Sequence, residues 1–147
     1  MQVMTGGIPN RHHTSKGIRT LEVKRLASHS EHNIVGGASK LFKALKEFAI
    51  KEGYEQIKSY CDMRWGTGGL YKQLGFHLTN TTKYAPHYIK GNKRVRNQTL
   101  KKPKDTSTTE KELRIKEGYS IIYDCGHQTW NYDLKNNINN SINQKEI

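Results

Sequence analysis

Asn33-Ile34-Val35-Gly36-Gly37-Ala38-Ser39-Lys40-Leu41-Phe42 is the stretch on which the fold turns. Its two glycines end a loop that begins near Ala27, and a helical pattern starts immediately after them. Leu41, Phe42, Leu45, Phe48 and Ala49 stand at i, i+1, i+4, i+7 and i+8, with Lys40, Lys43, Lys46 and Lys51 opposite. That spacing predicts an amphipathic helix over 38–52, stopped by Gly53. Upstream, Leu21, Val23 and Arg25 alternate with Glu22, Lys24 and Leu26, which predicts a strand over 18–26 with one face buried. A glycine pair opening a helix after a strand suits an anion. The first-turn N–H groups are unpaired, the helix dipole is positive there, and glycine lets backbone approach closely. A pyrophosphate fits that description; so does an ordinary tight turn into a helix, and the glycines alone do not separate the two.

Working outward, Gln2–Thr5 predicts a short strand ended by Gly6, Gly7 and Pro9. The polar stretch through Arg11, His12, His13 and Lys16 to Gly17 reads as a hairpin connection. Downstream, 56–60 predicts a strand and 68–74 a short helix closed by Gly75-Phe76. Residues 76–82 and 84–89 predict two strands broken near Pro86. Thr109 and Glu112 have capping-box spacing for a helix reaching about Glu117, before Gly118. A last strand is expected over 119–124, and the Asn-rich 133–147 reads as a frayed tail. The order strand, glycine loop, helix, strand, short helix is an α/β (α+β) signature.

At 147 residues the chain suits one domain, placed at 1–132, with its core at 18–90. Lys and Arg number 25 against 13 Asp and Glu, a net charge of +12, which attracts phosphate-rich polymers through counterion release. Nucleic acid is the expected partner, DNA ahead of RNA; solubility alone is the other use of such charge. There is no run of about 18 apolar residues and no charged segment followed by an apolar one at the N-terminus. Neither a membrane span nor a signal peptide is therefore expected. A cytosolic protein with reduced thiols follows.

Asn33-x-x-Gly36-x-Ala38, between a strand and an amphipathic helix, resembles the Gln/Arg-x-x-Gly-x-Gly/Ala signature of the GNAT N-acetyltransferase superfamily. Tyr71-Lys72-Gln73-Leu74-Gly75-Phe76, after the next strand, resembles the family's Tyr-x-x-x-Gly-Phe element. With Asp62-Met63-Arg64-Trp65 and Tyr123-Asp124-Cys125-Gly126 added, the chain is similar to the GNAT-like domain of phage proteins, often found behind homing-endonuclease-like or DNA-binding segments. The resemblance implies a mixed central sheet with a glycine-loop-to-helix phosphate cradle, and a helix-strand extension at 109–126. Two departures stand out. The stretch before Ile18 lacks the strand and helices that build one wall of the acceptor site in typical members, so an N-terminally shortened fold is expected. Asn33 also replaces the usual Gln or Arg.

What the resemblance implies for chemistry is transfer of an acyl group from acetyl-CoA or a related acyl-CoA to an amine. The donor would be held at Asn33, Val35, Gly36, Gly37, Ala38, Ser39 and Lys40. The N–H groups at the strand end, Leu26 and Ala27, would take the acyl carbonyl or the pantetheine arm. Such a reaction needs a base for the amine and an acid for the leaving thiolate. Glu22 matches the family carboxylate that acts through water, and Tyr71 the family tyrosine near the sulfur. A solvated strand-face glutamate and a core tyrosine beside Phe76 are the alternatives.

For nucleic acid, Arg64 and Trp65 could stack a base or clamp a phosphate, or a Trp could cover the core with an Arg at its rim. The run from Lys90 through Lys93, Arg94, Arg96, Lys101 and Lys102 to Lys104 holds seven cations and no acid, with Tyr84 and Tyr88 nearby. It reads as a loop, an arm or a poorly ordered helix. The competing function is a GNAT-like scaffold without turnover that docks on nucleic acid, beside a phage endonuclease or in countering a host defence. No metal is expected: His12 and His13 are adjacent, and His29-x-x-His32 sits in a loop without a partner carboxylate motif. Cys125 has no base nearby in sequence and is expected to be a small buried residue.

Overall fold

The glycine pair does join a strand to a helix. In the computed structural model, residues 1–10, 17–32, 34–95, 100 and 107–135 are described. The elements are β1 (Gln2–Gly7), β2 (Thr20–Ser28), α1 (Gly37–Lys51), β3 (Gln56–Asp62), α2 (Gly69–Gln73), β4 (His77–Thr81), β5 (Pro86–Lys90), β6 (Lys93–Val95), α3 (Glu110–Lys116), β7 (Ser120–Tyr123) and β8 (His127–Asp133). The fold is mixed α/β. The described residues gather into two compact units, one within Met1–Thr81 together with residues 128–135, the other within Thr82–His127.

The first unit carries a five-stranded sheet in the order β1-β2-β3-β8-β4. It is mixed, because β1 and β2 run antiparallel, β2 and β3 parallel, and β4 and β8 antiparallel. A parallel neighbour requires a crossover, and α1 supplies it. Leu21 and Val23 of β2, Ile57 of β3, and Trp130 and Tyr132 of β8 are buried in one cluster with Phe42 and Ala49 of α1, Phe76 and Leu134. Phe42 sits at its centre, with ring centroids 4.9 Å from Phe76 and 5.2 Å from Tyr132. Truncating such a ring to alanine costs about 3–5 kcal/mol, a large part of a domain's stability. Phe48, on the edge of the apolar stripe, stays half exposed.

The second unit is a three-stranded antiparallel sheet, β6-β5-β7, with α3. Thr109 and Glu112 close the α3 N-terminus reciprocally, the capping box read in the sequence. Part of the basic run departs from the loop or arm expected of it. Lys90 and Lys93 pair across a β5–β6 hairpin, and Ile89 pairs with Arg94. β8 was not expected at all; the tail assigned to 133–147 lies outside the described residues from 136 on. Cys125 is exposed, contrary to expectation, and Cys61 half-buried; both are free thiols. No helix among the described residues is long and apolar enough to cross a membrane.

Candidate functional site

Thr20, Leu21 and Glu22 pair in parallel with Gln56, Ile57 and Lys58, and there the β2–β3 ladder ends, although β2 continues to Ser28 and β3 to Asp62. The cause lies on the other edge of β2. Against β1, Val23 faces Gly6 and Arg25 faces Thr5, so Lys24 is an extra residue in the register. A β-bulge of this kind bends its strand and raises the local twist. β2 therefore turns away from β3 beyond Glu22, and side chains take over the contact there, Ser59 Oγ donating to Val23 O at 3.5 Å.

That opening is a cavity of about 460 Å³ lined by Glu22, Val23, Lys24, Arg25, Leu26 and Ala27 of β2, Tyr60 of β3, and Leu70 and Tyr71 beyond it. Four residues singled out in the sequence thus meet in one place: Glu22, Leu26, Ala27 and Tyr71. Glu22 is mostly buried, its side chain 13% exposed, and Lys24 Nζ lies 3.0 Å from its Oε2. The Tyr71 hydroxyl donates to the main-chain oxygen of Tyr60 at 3.2 Å. Its ring packs edge-on against Phe76 and stacks on Trp130, against the core cluster. Tyr60 is the residue sequence reasoning missed. Burial raises the pKa of its hydroxyl, and the negative charge of Glu22 raises it further.

The glycine turn stands apart from this cavity, at the start of α1. Gly36 is the N-cap in the left-handed region, φ 71° and ψ 0°, and no side chain caps the helix. The first turn holds no acidic residue. The Gly37 amide donates to Ile34 O at 3.1 Å and the Lys40 amide to Gly36 O at 3.1 Å. A Cβ on Gly36 would meet nothing within 4 Å, whereas one on Gly37 would fall 2.0 Å from Gln2 Oε1. Gln2 in turn donates from Nε2 to Ser28 Oγ at 2.9 Å, so β1 and the end of β2 buttress the turn. Val35, Ser39 and Lys40 are exposed and Ala38 is half-buried; Asn33 lies outside the described residues.

The candidate nucleic-acid residues fall in two places. Trp65 is 79% exposed, with the Arg64 guanidinium over its ring at 4.7 Å, so it does not cover the core; Trp130 does that. The Arg64 amide donates to Asp62 Oδ1 and the Trp65 amide to Asp62 O, which fixes the turn presenting the pair. In the second unit, Lys90 lies over the Tyr119 ring at 4.9 Å. Arg94 Nη2 is 2.9 Å from His87 Nδ1, and His87 Nε2 is 3.1 Å from Asp124 Oδ2. An arginine can only donate, so neutral His87 carries its proton on Nε2 and hands it toward Asp124. Tyr88, expected beside the basic run as a stacking face, is buried. Tyr84 is exposed and meets Tyr123 edge-on at 5.4 Å. Arg96, Lys101, Lys102 and Lys104 lie outside the described residues.

No protein-family model matches this chain, and no curated protein matches it either.

Proposed function

We propose that this chain is an acyl-CoA-dependent N-acyltransferase of the GNAT type. The observation that carries the reading is the cavity beside the point where β2–β3 pairing ends at Glu22, lined together by Glu22, Leu26, Ala27 and Tyr71. A mixed sheet, a parallel β2–β3 pair joined by α1, and an uncapped glycine turn at the start of that helix support it further.

The residues present fit the donor. An extended chain carrying amides can hydrogen-bond to the β2 edge from Val23 to Ala27. A pyrophosphate would meet the Ala38 and Ser39 amides, since those of Gly37 and Lys40 are used within the turn. Lys40 adds a cation, and the first turn holds no acid to repel the anion. Acyl-CoA supplies the acyl group activated as a thioester. Glu22 accepts, through a water, the proton that the attacking amine gives up. Tyr71 returns a proton to the departing sulfur, and to do so its hydroxyl must turn from the Tyr60 carbonyl.

Calorimetric titration of the pure protein with CoA and acetyl-CoA tests this. Binding that is weakened by changes at Gly36 or Gly37 is expected. No heat and no thermal shift at millimolar CoA, with the fold confirmed, removes the donor and the enzyme reading together. A nucleic-acid-binding module without turnover is the second reading, favoured by the exposed Arg64–Trp65 pair and the Lys90–Lys93 hairpin.

A further inference from the structure

His29-Ser30-Glu31-His32 forms the turn that leaves β2. The His29 amide donates to Met1 O at 2.9 Å and the His32 amide to His29 O at 3.4 Å, so the turn is closed on itself and tied to the start of the chain. It lays one imidazole on the other, with ring centroids 5.0 Å apart and planes inclined by 23°. Glu31 joins them. One ligand atom from each of His29, Glu31 and His32 lies within 4.8 Å of the other two. The carboxylate missing from the His29-x-x-His32 spacing is therefore inside that spacing.

We propose that this turn is a binding site for a divalent transition-metal ion, Zn²⁺, Ni²⁺ or Cu²⁺, held by His29, Glu31 and His32. Two imidazoles with one carboxylate suit these borderline ions, whereas Ca²⁺ and Mg²⁺ favour all-oxygen sets. Bonds of about 2.0–2.2 Å to each ligand place neighbouring ligand atoms about 3–3.5 Å apart, so by rotation of the side chains the cluster must contract by up to about 1.5 Å. All three residues are exposed, and no core packing resists that rotation. The Glu31 amide donates to His29 Nδ1 at 3.3 Å, which leaves the lone pair of neutral His29 on that nitrogen. A cation there displaces that long, exposed hydrogen bond and turns the two imidazoles out of their stack, and water completes its coordination. The site does not depend on the acyl-CoA reading, because its ligands lie outside the cavity and the glycine turn.

The test is calorimetric titration of the full chain with Zn²⁺ and, separately, Ni²⁺, with imidazole signals followed by NMR. One site per chain is expected, with the His29 and His32 signals shifting. His29→Ala and His32→Ala should each weaken binding at least about tenfold, as loss of a ligand does when even its supporting contacts are worth about 10–100-fold. Glu31→Gln should weaken it several-fold. Because the three side chains are exposed, these variants keep the fold, which a thermal melt checks. The chain has seven histidines, so the paired variant His12→Ala, His13→Ala serves as control and should bind unchanged. Binding that survives loss of both His29 and His32, that disappears in the control, or that ignores Glu31→Gln overturns the three-ligand site; so does the absence of any heat.

Discussion

Tyr71 and Tyr60 are joined by a hydrogen bond of 3.2 Å from the phenol of one to the main-chain oxygen of the other, which ties α2 to β3 at the lining of the cavity. Tyr71→Phe removes that donor and keeps the ring against Phe76 and Trp130. Stability should fall by about 1 kcal/mol, the net worth of one hydrogen bond. Turnover should fall further than CoA affinity, which should stay within a few fold, because a general acid acts in the transition state. Steady-state kinetics with calorimetry separates the two quantities. Unchanged turnover with lowered stability would assign Tyr71 to packing.

Gly36 and Gly37 are adjacent and constrained differently, so their alanine variants should differ. Gly36→Ala meets open space and carries only the strain of a left-handed backbone, about 1–2 kcal/mol. Gly37→Ala drives a methyl into Gln2 Oε1 and must displace β1 or the turn. Its loss of thermal stability should be the larger of the two, and Gln2→Ala should recover part of it in the double variant. Additive losses from Gln2→Ala and Gly37→Ala, read from denaturant melts, would show that Gln2 does not set the glycine.

Asp124 joins the turn before β5 to the end of β7, since its Oδ1 accepts from the amides of Ala85 and Gly126. Its carboxyl is held below the usual range first by the Ala85 amide, then by the Gly126 amide and His87, against an opposing effect of burial. A depressed folded-state pKa contributes stability that is complete above the unfolded value, about 3.9, and is lost as pH falls through the folded one. Amide protection factors in β5 and β7, corrected for the intrinsic rate, should therefore fall below about pH 4. Asp124→Asn retains an oxygen for the two amides and should flatten that dependence. Equal acid sensitivity in the variant would locate the responsible group elsewhere.

The strand, turn and helix around Gly36 were legible because each rests on local pattern: alternation over Leu21 and Val23, then helical spacing from Leu41 to Ala49. β8 was not, since His127-Gln128-Thr129-Trp130-Asn131-Tyr132-Asp133 has apolar residues only at Trp130 and Tyr132. Its partners β3 and β4 lie before the whole second unit, and a strand that depends on distant partners leaves little local trace. β6 is a strand by pairing alone: Lys93, Arg94 and Val95 carry no pattern, and their partners Lys90, Ile89 and Tyr88 supply it. The same holds within the cavity. Glu22 and Tyr71 could be chosen by motif, and Lys24 stands at i+2 from Glu22 on one strand, whereas Tyr60 enters the lining through strand pairing that no motif encodes.

We expect the chain to bind DNA or RNA through the basic segment from Lys90 to Lys104. Seven cations without an acid is more concentrated charge than a solubilising surface needs. With about five phosphate contacts, log affinity should fall against log salt with a slope of about −3.5 for single strands to −4.5 for duplex. Lys90→Ala with Lys93→Ala, paired across the hairpin, should flatten the slope by up to about 2. Lys101, Lys102 and Lys104 changed together should flatten it by up to about 3, evenly across sequences, because phosphate contacts position without specifying. Arg94 is left intact in both, so that its bond to His87 is kept. Trp65→Ala should behave differently: loss of a stacking face costs about 1–3 kcal/mol of binding and leaves the slope unchanged. Fluorescence anisotropy of a labelled oligonucleotide over a salt series reads all of these quantities. A slope unmoved by either lysine set, with affinity lost in Trp65→Ala and Arg64→Ala, would move the contact to the Asp62 turn. No binding at low salt would leave the hairpin cations as solvated surface.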